Sequence, residues 1–101
     1  MNTKVAKCLV VSKVLIADGI ITDEEREFLA TVMQTFGLTE DERRSVIDLE
    51  GLDEADAIVR GLPIEDRRQL LETLVDASSA DGRLSAHELA AIKRVSAALG
   101  V

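Results

Sequence analysis

The sequence predicts an all-α domain, a single-domain bundle of five to seven helices, and three observations carry the prediction. Apolar residues recur at helical rather than alternating spacing, three Thr/Ser-x-x-Glu helix starts punctuate the chain, and one helix-pair pattern occurs twice. No strand-like alternation and no hairpin turn competes with that reading, so the Val-rich stretches are read as helix. A length of 101 residues suits one domain, taken as residues 1–101.

The elements follow in order. A first helix from about Thr3 to Ala17 is apolar on almost every side (Val5, Cys8, Leu9, Val11, Val14, Leu15, Ile16), which predicts the central, most buried element. Thr22-Asp23-Glu24-Glu25 reads as a capping box, with the Thr hydroxyl accepting the N3 amide and Glu25 reaching back. It opens a second helix burying Phe28, Leu29, Val32, Met33 and Phe36, stopped by Gly37 in a left-handed conformation. Thr39 to Glu42 repeats the box and opens a third helix with Val46, Ile47 and Leu49. Asp53 is expected to cap a short fourth helix bearing Ile58 and Val59 and ending at Gly61. Pro63 suits the first turn of a fifth, with Leu70, Leu71, Leu74 and Val75 inward. Ser85-Ala86-His87-Glu88 opens a last helix with Leu89, Ile92, Val95 and Leu99 inward, stopped at Gly100.

Composition narrows the function classes. Twelve Lys and Arg against nineteen Asp and Glu give a net charge of −7, unsuited to binding nucleic acid or an anionic membrane. The charge is uneven: residues 18–56 hold thirteen acids against Arg26, Arg43 and Arg44, while residues 1–17 carry three lysines and no acid. Two Phe and no Trp or Tyr exclude base-stacking platforms and aromatic cages. One Cys and one His exclude a disulfide framework and a zinc knuckle. The N-terminal apolar run is broken by Ser12 and Lys13 and reads as domain structure, neither a targeting peptide nor a membrane span. A reducing cytoplasm is the expected compartment, with Cys8 a buried free thiol and His87 a surface residue.

The repeat is the informative feature. A shift of 63 residues places Ala17-Asp18-Gly19-Ile20-Ile21-Thr22 on Ala80-Asp81-Gly82-Arg83-Leu84-Ser85, Glu25 on Glu88, Val32 on Val95 and Gly37 on Gly100. The pseudo-repeats span about residues 3–37 and 66–101, which suggests a pseudo-two-fold bundle. The spacing D-G-x-[IL]-x-x-x-E equals the back half of an EF-hand loop. The front half is missing, because Val14 and Ile16, or Ala77 and Ser79, stand at the preceding ligand positions. Two readings remain. Asp18, Glu25, Asp81 and Glu88 form one four-carboxylate site for a divalent cation, with oxygen ligands favouring calcium, magnesium or manganese over zinc. Alternatively, each Asp-Gly is a helix stop and each Glu the partner of its own cap. No nucleophile, base pair or phosphate loop supports an enzyme. The second reading leaves an acidic adaptor that binds a basic protein partner or self-associates.

These residues resemble the TerB-like domain family, found in tellurite-resistance proteins, in the N-terminal region of a membrane-anchored DnaJ-type co-chaperone and in stand-alone bacterial proteins. Its hallmark is two copies of A-D-G-x-[IV]-x-x-x-E, each leading into a helix that ends in L-G or F-G. Here those are Ala17-Asp18-Gly19 through Glu25 to Phe36-Gly37, and Ala80-Asp81-Gly82 through Glu88 to Leu99-Gly100. The resemblance covers nearly the whole chain, although the stretch between the second and fifth helices is short for the family. It implies a helical accessory domain tied to chemical-stress responses, with Asp18, Glu25, Asp81 and Glu88 as the positions proposed to bind metal.

Overall fold

The computed structural model describes residues 1–16, 21–78 and 86–101, without the side chains of Ser78 and His87. Among the described residues there are six helices and no strand: α1 (Thr3–Leu15), α2 (Asp23–Thr35), α3 (Glu40–Ile47), α4 (Leu52–Arg60), α5 (Ile64–Ser78) and α6 (Ala86–Leu99). None is long and apolar enough to cross a membrane.

Local chemistry explains where most of them begin and stop. Asn2 starts α1, its side chain accepting the Val5 amide at 2.9 Å. Thr22 and Thr39 start α2 and α3 through complete capping boxes with Glu25 and Glu42. Each box satisfies two amides that a bare helix end leaves unpaired. Gly37 and Gly100 follow α2 and α6 at φ of 68° and 72°, a region that costs little only for glycine.

The core is built around α1, which packs against α2, α3, α4 and α6. Ala6, Cys8, Leu9, Val11 and Leu15 have no exposed surface, which explains a helix apolar on every side. Its closest neighbour is α4, where Ala55 is likewise fully buried and lets the backbones approach. Helix α5 instead packs against α2 and α6. Exchanging the pair α1–α2 with α5–α6 leaves the pattern of contacts among these four helices unchanged: α1 meets α6 as α5 meets α2. Helices α3 and α4 break the exchange, since the main contacts of both are with α1.

Five expectations are corrected. Gly51, at φ 76° and with no side-chain bond, holds the start of α4, so Asp53 lies inside the first turn and contributes only charge there. Helix α3 ends at Ile47; Leu49 turns left-handed at φ 56° and Ile47 is 64% exposed. Val75 and Leu89 face out, at 37% and 44% exposed. Pro63 precedes the first turn of α5, its carbonyl accepting the Asp66 and Arg67 amides. Helix α1 also ends two residues earlier than expected, with Ile16 as its C-cap.

Candidate functional site

The duplicated motif supplies the candidate residues. Glu25 is the N3 residue of α2 and Glu88 lies in the first turn of α6. Asp18 and Asp81 lie outside the described residues, as do Gly19, Gly82 and the expected cap at Ser85.

Glu25 is held from two directions. Its Oε1 accepts the Thr22 amide at 3.1 Å, while its own amide donates to the Thr22 hydroxyl at 3.1 Å. Its Oε2 is buried and has no hydrogen-bond donor among the described residues. Arg94 on α6 pairs with that oxygen, its Nη1 3.6 Å away, and the Glu25 side chain is 13% exposed. Nη2 of Arg94 donates to the Val14 carbonyl near the end of α1. One guanidinium thus joins the end of α1, the start of α2 and the middle of α6. The first motif is thereby brought against the helix that the second motif opens.

A carboxylate in this setting has one oxygen committed to a cap and one with acceptor capacity left over. An unsatisfied buried acceptor is costly, and the Arg94 pair offsets its charge without supplying a hydrogen bond. A hard cation seeks this donor chemistry. Among the described residues no three or more His, Cys, Asp or Glu side chains gather closely enough to hold a metal.

The two motifs differ electrostatically. The position matching Arg94 in the first copy is Thr31, whose hydroxyl donates to the Glu27 carbonyl. An exchange of the copies therefore does not carry a guanidinium to Glu88.

Three cross-links lay outside the sequence reading. Besides Arg94, Arg67 of α5 donates to the Leu99 carbonyl at 2.9 Å, so a cation meets the C-terminal end of α6. Asn2 also reaches Glu42, tying α1 to the capping box of α3. That bond and those from Thr39, led by its backbone amide, hold the Glu42 carboxyl below its ordinary pKa. Asn2 had a legible signal, an Asn just before a helical run. Arg94 and Arg67 had none, because their partners are 80 and 32 residues away.

Cys8 sits where it was expected, fully buried. Burial, with the charge of Glu42 added and that of Lys7 opposing, pushes its thiol up to about 12. A thiol so held is packing, not a nucleophile.

A family model described as tellurite resistance protein TerB matches residues 4–101. No curated protein and no solved structure matches the chain significantly. The chain belongs to the TerB family, as its paired A-D-G motifs imply.

Proposed function

From that membership, we propose that the chain is a non-catalytic accessory domain that answers a divalent cation through its two motifs. Asp18, Glu25, Asp81 and Glu88 are the carboxylates, and calcium, magnesium or manganese is the ion. The observation that carries this reading is Glu25 Oε2, a buried acceptor without a donor among the described residues, beside a guanidinium from the helix of the other motif. The family's description, tellurite resistance, supports placing the response among chemical stresses of a bacterial cytoplasm.

A second reading has its own support. The other oxygen of Glu25 accepts in the capping box, and Arg94 balances the charge. On this reading the carboxylates only hold helix starts, and the domain is an acidic adaptor for a protein partner.

Thermal unfolding with calcium, magnesium or manganese, against sodium at matched ionic strength, separates the two. A cation bound by the folded state raises the melting temperature by mass action and saturates. The cation reading expects that rise in the parent and its loss in an Asp18→Asn, Asp81→Asn double variant. A shift equal in parent and variant overturns it and leaves the adaptor.

A further inference from the structure

We infer that the groove between α5 and α6 receives the C-terminal end of α3 from a second copy of this chain. The inference is independent of any cation, and it starts from the internal repeat.

In the first pair, Ser12 of α1 and Leu29, Ala30 and Met33 of α2 line one cavity of about 490 Å³. Ile47 and Leu49, at the end of α3, form another of its walls. A shift of 63 residues carries those four positions onto Val75, Ile92, Lys93 and Ser96. These four lie together in a cavity of about 530 Å³ lined, among the described residues, by α5 and α6. The same groove thus exists twice, and in one copy the chain shows what lies against it.

The second copy of the groove is built to take such an occupant. Its sequence has exchanged Ser12 for Val75, and its α5 wall carries Leu71 where α1 has Cys8. Larger aliphatic groups at a partly exposed surface offer apolar area for a partner to bury. The occupant is also on the surface already: Ile47 is the most exposed of the large apolar side chains among the described residues, at 64%. Charge agrees. Glu72 and Asp76 line the α5 side of the groove and Lys93 the α6 side, whereas Arg43 and Arg44 precede Ile47 and Asp48 follows it. Knob and groove are different surfaces, so the contact is heterologous: each copy offers one of each.

Sedimentation equilibrium from micromolar to millimolar protein at physiological salt tests this. The weight-average mass of the parent is expected to rise with concentration. Ile47→Glu, which loses the knob, and Val75→Glu, which spoils the groove, are each expected to stay monomeric. Their equimolar mixture is expected to form a dimer and stop there, because one variant keeps the groove and the other the knob. Serine at either position gives a milder second pair, and circular dichroism melts verify folding of all four variants. A parent monomeric at millimolar concentration overturns the inference and leaves the groove to a different protein. Self-association of Ile47→Glu equal to the parent also overturns it, since α5–α6 faces would then be packing on one another. So does a mixture that fails to pair.

Discussion

Helix α1 and helix α5 occupy the same place in the two repeats yet live in different surroundings. Helix α1 is enclosed by four neighbours, including α3 and α4; the main packing partners of α5 are α2 and α6. The residues at matching positions run against intuition. Covered α1 carries small Cys8 and Ser12, whereas open α5 carries Leu71 and Val75. Small side chains at a covered face let a neighbouring helix approach, while large ones at an open face make a groove. Coverage distinguishes the two helices, and α1, the more enclosed, is also the more apolar.

The largest expected effect contrasts one position in both settings. Leu9 is fully buried on α1, and its match in the second repeat is Glu72 at the groove. Leu9→Ala is expected to cost about 3 kcal/mol by urea unfolding, the usual toll of a core cavity. Glu72→Ala is expected to stay within about 0.5 kcal/mol. Similar losses at both positions would break the comparison.

Alkaline pH, read as a difference between parent and Cys8→Ala, probes the enclosed side. With the Cys8 thiol moved from 9.0 to about 12 on folding, the folded state keeps a proton that the unfolded chain releases. Its contribution is complete below about pH 9 and is lost as pH rises toward 12. Cys8→Ala, compared with the parent across that range, is expected to show a shallower fall in stability. A parallel fall in both proteins would mean that α1 is less tightly covered than described.

Gly37 and Gly100 sharpen the comparison by testing what the repeats share. Both lie near φ 70°, and a Cβ at Gly37 meets nothing while one at Gly100 lies 3.9 Å from Arg67. Alanine at either is expected to cost about 1 kcal/mol, through backbone conformation and not through a clash. The caps give an effect of the same order or smaller: Thr22→Ala is expected to cost about 1 kcal/mol, and Ser85→Ala to fall in the same range. Thermal or urea unfolding measures all four, and a large imbalance between matched positions would mean that the repeats are not built alike.

The legibility of the fold divides along the same line. Thr22, Thr39, Gly37 and Gly100 act on their own turns, so spacing alone located them. Val75 and Leu89 were assigned inward because an apolar stripe does not tell how many helices lie against it. Asp53 lost the cap of α4 to Gly51, whose left-handed backbone has no side-chain signature beyond the glycine itself. At the candidate site, Glu25 was legible as a cap and Arg94 was not, since their pairing is a product of packing α6 against the first repeat.

The central functional claim is that the two motifs act on one ion. Manganese titration of the isotope-labelled protein, followed by paramagnetic broadening of its amide signals, tests it most directly. The account predicts that signals around residues 18–25 and 81–88 broaden together at one equivalent, before those of the acidic starts of α3 and α4. Broadening that begins at Glu40, Asp41 and Glu42, or that reaches only one motif, would contradict it.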